Sequence, residues 1–227
     1  MIDVEYLRHT GDDLAIVDAA RVSFDKASEY ECTDLQIGTY DLPKGDQKLI
    51  NFLAKHKHKS PFNHAFVSFR VTAPVFTARQ LVKHEYLPWN EVSRRYVEGG
   101  LEWYWPDDTD WRTQPTNVKQ GSGEPLNPAI VAMIKARYAH LLEDAESLYE
   151  DAISMGLCRE QARMFLPQSL TTSWIWSGSL YAFAKMCALR LDSHSQREAF
   201  YVAQPIHDTL MNLFPVSMKA LMKHGAD

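Results

Sequence analysis

From Ala65 to Thr72 the chain alternates strictly, with Ala65, Val67, Phe69 and Val71 on one side and Phe66, Ser68, Arg70 and Thr72 on the other. A period of two is the mark of a strand with one apolar face. The other strongly patterned segments are helical. Asn127-Pro128 puts a capping residue before a proline at the first helical position. Behind it Ile130, Val131, Ile134, Tyr138, Leu141, Leu142, Ala145, Leu148 and Ile153 recur as a stripe expected to be buried, and Gly156 closes the helix. A one-sided strand must bury its apolar face against another layer, and this chain supplies helices for that layer. The expected fold class is therefore α+β, a small antiparallel sheet packed against a helical bundle, with residues 1–227 as one domain. A chain of 227 residues, 45% hydrophobic and 23% charged, builds such a core without staples.

The remaining elements follow in order. Val4–Leu7 reads as a short strand, and Asp12 or Asp13 as the cap of a helix through Leu14, Ile16, Val17 and Ala20. Residues 25–45 are polar and hold Gly38, Pro43 and Gly45, the composition of a long loop. Asp46 is the expected cap of a second helix. A third helix is expected to open at Pro74, carry Val75, Ala78, Leu81 and Val82 on one face, and be stopped by Pro88. Extended stretches are expected near 94–97, at 101–105 and at Thr171–Trp176. Residues 107–127 form the longest expected loop. A short helix carries Arg159 and Arg163, and another spans Ser179–Leu191. Ser193 or Ser195 is expected to cap the last helix, which Pro205 interrupts.

Chemistry concentrates in the stretch from Arg79 to Tyr96. Arg79, Gln80, Lys83 and His84 project from the last helical turns, and Asn90, Glu91, Ser93, Arg94 and Arg95 follow Pro88. Guanidinium forks beside a hydroxyl suit a phosphate ester. A solvated, salt-bridged loop is the plainer reading of any Arg-Arg pair. Arg190, Asp192, His194 and Gln196 crowd a second junction between helices, with Arg163 as a possible partner, and end-capping is their plainer reading. His56, His58 and His64 stand among Lys55, Lys57 and Lys59, which would repel a cation, so no metal is expected. No glycine-rich nucleotide loop and no nucleophile context is present. Cys32, Cys158 and Cys187 are unpaired by spacing, no signal-peptide pattern opens the chain, and no apolar run could span a bilayer, so a cytoplasmic protein without a membrane partner is expected. A net charge of -5 gives no electrostatic reason to expect nucleic acid.

Three blocks together resemble the flavin-dependent thymidylate synthases. They are Ala19-Ala-Arg-Val-Ser-Phe24, then His58-Lys-Ser-Pro-Phe-Asn-His64 through Ala78-Arg-Gln80 to Asn90-Glu-Val-Ser-Arg-Arg-Tyr96, and finally Arg163-Met-Phe-Leu-Pro167 with Leu189-Arg-Leu-Asp-Ser-His194. The resemblance implies reductive methylation of dUMP to dTMP, with FAD as cofactor and NADPH and methylenetetrahydrofolate as co-substrates. It also implies a homotetramer whose active sites lie between subunits. By motif position Gln80, Lys83, Glu91, Ser93, Arg94, Arg95, Arg163 and Arg190 would hold dUMP. Arg190 would be the catalytic residue, polarising the uracil so that C5 becomes nucleophilic. Ser60, Lys83, His84, Glu85, Trp176, Gly178, Lys185 and His194 fall at FAD positions, Trp176 as a surface on which a cofactor ring could stack. The family's Arg-His-Arg, seven residues, Ser is here Lys83-His84-Glu85, seven residues, Ser93. Trp176-Ser-Gly178 stands where many members have Asn-x-Arg, and Lys185 at a common asparagine. The altered flavin positions leave open a relative that places another one-carbon group on a pyrimidine nucleotide. A non-catalytic nucleotide- or nucleic-acid-binding module is the alternative from another class.

Overall fold

The computed structural model describes residues 1–34, 39–97, 99–116 and 121–225. Its centre is a four-stranded antiparallel sheet in the order β1-β4-β6-β5, built from β1 (Asp3–Thr10), β4 (Phe66–Pro74), β5 (Trp89–Glu91) and β6 (Thr171–Ser179). β4 keeps the expected alternation, and Ala65, Val67, Phe69 and Val71 are fully buried. Opposite Phe69 and Val71 in the register stand Trp176 and Trp174 of β6, so the apolar face continues across the strand pair. The other face carries a polar ladder, with Ser68 bonded to Ser177 at 2.9 Å and Thr72 to Ser173 at 3.2 Å. One dry and one polar face is the usual division of an antiparallel sheet.

Helices α6 (Leu180–Arg190), α7 (Arg197–Leu213) and α8 (Pro215–His224) join α1 (Asp13–Arg21) and α2 (Lys44–Lys55) around the dry face. Phe183 of α6 meets Phe69 and Trp176 edge-to-face at 5.3 and 5.5 Å. The fold is thus α+β, as expected. Asp12 caps α1 by accepting from the Ala15 amide at 2.8 Å. Asn127 does the same for α4 (Pro128–Ser154), accepting from Ala129 at 2.9 Å.

Several expectations are corrected. Within 25–45 the chain forms a hairpin, β2 (Glu31–Asp34) with β3 (Thr39–Asp41), and the expected turn residue Gly38 lies outside the described residues. Asp46 does not cap α2, which starts two residues earlier; it is buried and pairs with Arg21. α3 (Val75–Leu81) ends well before Pro88, through turns that include a left-handed Tyr86. The strand after it is β5, because Trp89 and Glu91 find partners on β6; 94–96 is a turn, and 101–105 makes only the single bridge Trp103–Leu170. α5 (Arg159–Ala162) and a 3-10 turn carry Arg163. The last helical region breaks at Phe214–Pro215, while α7 continues through Pro205. On α4 the stripe is only partly buried: Val131, Leu142 and Ala145 are inside, but Ile130, Leu141 and Leu148 are exposed.

Candidate active site

β5 holds the first part of the site. Trp89 stacks on Trp174 with ring centres 4.1 Å apart, which fixes the strand to the core. Glu91 is then oriented by two donors, Trp89 Nε1 at 3.1 Å and the Thr172 hydroxyl at 2.8 Å. Past β5, Arg94 donates to the carbonyls of Gly99 and Gly100 at 2.7 and 2.9 Å. Both glycines have positive φ, which lets their carbonyls turn toward one guanidinium. Arg163 is held through Nε by the Glu160 carbonyl at 3.1 Å. Glu91, Ser93, Arg94 and Arg163 line one cleft of about 480 Å³ with Arg79 of α3. Three guanidiniums around a hydroxyl are chemistry that suits a phosphate ester. Arg95 does not line it: its Nε reaches Ser93 Oγ at 3.3 Å and its guanidinium lies over the Tyr96 ring.

Arg190, at the end of α6, organises the second part. Its Nε–H donates to His84 Nε2 at 2.9 Å, and an outer nitrogen reaches the Gln80 carbonyl at 3.4 Å. Burial, then the charges of Arg190 and Lys185, push the His84 pKa down to about 4. The imidazole is therefore neutral near pH 7 and accepts the arginine's hydrogen bond. Arg190 forms part of the wall of two clefts. The larger, about 900 Å³, has Lys59, Lys83 and Lys185 with Phe66, Tyr86 and Tyr181 around His84 and Glu85. The smaller, about 550 Å³, includes Gln80, His194, Ser195 and Arg112. In it the side-chain oxygen of Gln80 and the hydroxyl of Ser195 are buried with no hydrogen-bond partner among the described residues.

The expected flavin positions divide. Lys83, His84, Glu85 and Lys185 line the larger cleft; Ser60 is only next to its wall, and His194 lies in the smaller one. Trp176 is 0% exposed, enclosed by Trp89, Trp174, Phe183 and His84, so its ring has no free face for a cofactor. Gly178 is also buried; a Cβ there would strike the Leu87 side chain and sit 3.1 Å from the Tyr86 carbonyl, so its place is structural. What the cleft does offer is three ammonium groups and three aromatic rings, a set suited to a planar anionic dinucleotide. Among the described residues no group of three or more His, Cys, Asp or Glu could hold a metal, and no helix is long and apolar enough to cross a membrane.

Tyr86 and Arg112 are among the lining residues that escape sequence reading. Tyr86 is 84% exposed on the rim of the larger cleft in a left-handed backbone (φ 61°), an uncommon state for a bulky residue. Nothing in the local sequence marks it. Arg112 comes from a segment read as loop; it donates to Glu198 at 2.7 Å and closes the smaller cleft.

Comparison with known proteins gives a consistent picture. Residues 5–216 match the family described as thymidylate synthase complementing protein. A flavin-dependent thymidylate synthase of Kosmotoga olearia is 33% identical over 216 residues, covering 93% of this chain and 86% of that one. A UMP/dUMP methylase, PolB from Streptomyces cacaoi, solved with 5-Br UMP, superposes with a TM-score of 0.84 at 28% identity, covering 100% of this chain and 96% of that one. Its structure with 5-Br dUMP gives 0.83 at 29% identity, covering 100% and 97%.

Proposed function

The chain belongs to the thymidylate synthase complementing protein family, the flavin-dependent thymidylate synthases, and from that premise we propose that it methylates dUMP at C5 to give dTMP. The observation that carries this reading is the Arg190–His84 pair beside the unpartnered Gln80 oxygen. A half-buried guanidinium next to a free amide acceptor complements the edge of a uracil. As C5 attacks, negative charge spreads over the ring, and a cation already fixed in a low-dielectric wall stabilises it without reorganising. Neutral His84 aims that cation by accepting its Nε–H and adds no competing positive charge. Ser93, Arg94 and Arg163, with Arg79, hold the 5′-phosphate, the acceptor Glu91 suits a hydroxyl of the nucleotide's sugar, and Arg95 supports the loop through Ser93.

A flavin held in the larger cleft would supply the reducing equivalents, with NADPH as its reductant and methylenetetrahydrofolate as carbon donor. Lys59, Lys83 and Lys185 would meet its phosphates, and Phe66, Tyr86 and Tyr181 its rings. The Arg163 cleft shares no lining residue with either Arg190 cleft. Separate clefts of this kind fit a homo-oligomer, read as a tetramer, with sites between subunits. Residues 1–227 form one domain, and its free cysteines suit the reducing cytoplasm.

Protein taking up FAD and converting dUMP, NADPH and methylenetetrahydrofolate to dTMP, identified by mass spectrometry, is the expected result. Folded protein that binds no flavin removes the cofactor reading, and a product of another mass indicates a different one-carbon transfer. Tight, salt-sensitive oligonucleotide binding without turnover would favour the non-catalytic module. A second substrate, UMP, is favoured by the likeness to PolB, described as acting on both nucleotides. Parallel turnover of dUMP and UMP separates the two.

A further inference from the structure

Trp89 and Glu91 are two residues apart on β5 and leave the same face of the strand, as Thr172 and Trp174 do on β6. In the register Glu91 stands opposite Trp174, which puts Thr172 on its diagonal. Trp174 is 1% exposed and stacks on Trp89 at an interplanar angle of 17°, while Thr172 stands opposite the buried Ala73 of β4. The two groups that donate to Glu91 are therefore themselves fixed by the core. Trp89 Nε1–H meets Oε2 and the Thr172 hydroxyl meets Oε1, so each carboxylate oxygen accepts one bond and the plane of the carboxylate is set.

The two donors that hold Glu91 are neutral, although Arg79, Arg94 and Arg163 line the same cleft. An acceptor-only carboxylate repels a phosphate and receives hydroxyls. It has about four lone-pair sites, so with one bond on each oxygen it keeps an acceptor on each for a ligand. Two adjacent acceptors in one plane complement two hydroxyls on neighbouring carbons, and an acidic residue reads a ribose in dinucleotide-binding folds by the same chemistry. The sugar of a 5′-deoxyribonucleotide offers one such hydroxyl, at C3′. A ribose offers two, at C2′ and C3′.

We propose that Trp89 and Thr172 are positioning residues for the sugar: they hold Glu91 so that its two oxygens take both hydroxyls of a ribose, and the cleft accepts a ribonucleoside monophosphate beside the deoxyribonucleotide. One hydroxyl can follow a carboxylate that swivels about its last bond, so a deoxyribose depends little on these two donors. Two hydroxyls fixed on one ring need both oxygens in one plane at once, so a ribose depends on them strongly. The inference rests on the nucleotide reading above and deepens it. It traces the choice of sugar to an edge strand and its neighbour, away from the Arg190 wall that meets the base.

The test is calorimetric binding of dUMP and UMP to the full chain with FAD present, with kcat and KM for both and circular dichroism to check folding. Wild type is expected to bind both. Thr172→Val keeps the side chain's shape and removes its donor. Affinity and kcat/KM for UMP should then fall about tenfold more than for dUMP, with the loss in KM, the scale of one hydrogen bond to a charged acceptor. Thr172→Ser keeps the hydroxyl and should hold the wild-type ratio. Trp89→Phe keeps a ring against Trp174 but loses the N–H, and should shift the ratio the same way as Thr172→Val. A role in packing alone would weaken both nucleotides alike and leave the ratio unmoved. Wild type that binds and converts dUMP but does not bind UMP overturns the inference and leaves the nucleotide reading standing. So does a wild-type ratio in folded Thr172→Val or Trp89→Phe, or a ratio that Thr172→Ser fails to hold. Folded protein that binds neither nucleotide overturns both.

Discussion

The two arginine sites of this chain are built in opposite ways. Arg79 of α3 and Arg163 of a 3-10 turn stand exposed, and share their cleft with Glu91 of β5 and the turn that follows it. Arg190 is half-buried at the end of a core helix and leans on a histidine 106 residues away. The difference follows from when the charge appears. A phosphate arrives already charged, and screened cations at the surface suffice to catch it. Charge that develops on a ring during reaction is stabilised best by a dipole or cation fixed beforehand where water is scarce. The first site should therefore govern binding, and the second turnover.

The largest effect that could break this division is at Arg190. Arg190→Ala should lower turnover by about two to three orders of magnitude, while reduction of bound flavin by NADPH survives much better. Arg190→Lys keeps a charge but loses the planar fork, so it should recover little. A stable Arg190→Ala protein that turns over at near wild-type rate would show that the buried site is only a helix end.

The next effect is structural. Gly178→Ala pushes a methyl into Leu87 and toward the Tyr86 carbonyl, the segment that forms the rim of the larger cleft. Overpacking of this kind should cost about 2 kcal/mol, read from the shift in the urea midpoint. An unchanged midpoint would mean that the 86–87 turn yields freely, and that the rim is softer than its packing suggests.

At the exposed site the expected change is smaller and of another kind. Arg163→Ala should raise KM for the nucleotide about tenfold with little change in kcat, and Arg163→Lys should recover part of the loss. A fall in kcat with KM unchanged would assign Arg163 to the chemical step and erase the contrast with Arg190.

The same contrast explains what could be read from the chain alone. Local patterns carried the alternation of β4, the Asn127 cap of α4 and the Ser93–Arg94 pair, because each depends on neighbours in sequence; Arg163, read from residue chemistry as a possible partner of the Arg190 junction, lines the Ser93 cleft instead, a grouping only the family resemblance implied. The Arg190–His84 contact depends on which helix end meets which turn, and no spacing encodes it. Trp176 looked available to a ring because its burial comes from lying on a strand between β4 and β5, a matter of topology. On α4 the apolar residues formed one broad stripe in sequence. Periodicity cannot separate a face covered by the chain's own core from a second face left outside it. The pairing of β2 with β3 follows no alternation, so nothing in the sequence announced it.

The smallest expected effect, and the finest measure of the buried site, is its response to acid. His84 titrates at about 4 in the folded chain against an ordinary 6.5, with burial the larger cause and the Arg190 and Lys185 charges behind it. Between pH 6.5 and 4 the unfolded chain's imidazole takes up a proton that the folded chain's refuses. Its contribution to stability is therefore complete above pH 6.5, declines as pH falls, and is gone below about 4. For a half-buried, partly screened group this amounts to about 1 kcal/mol. Urea denaturation of wild type and His84→Gln across this window should give curves that converge toward the acid end by that amount, since glutamine does not titrate. Arg190→Ala should raise the His84 pKa, followed by NMR, yet leave it below 6.5 because burial remains. A His84 that already titrates near 6.5 in the wild-type protein would mean that the Arg190 wall is wet, and the proposed division between the two sites would fail.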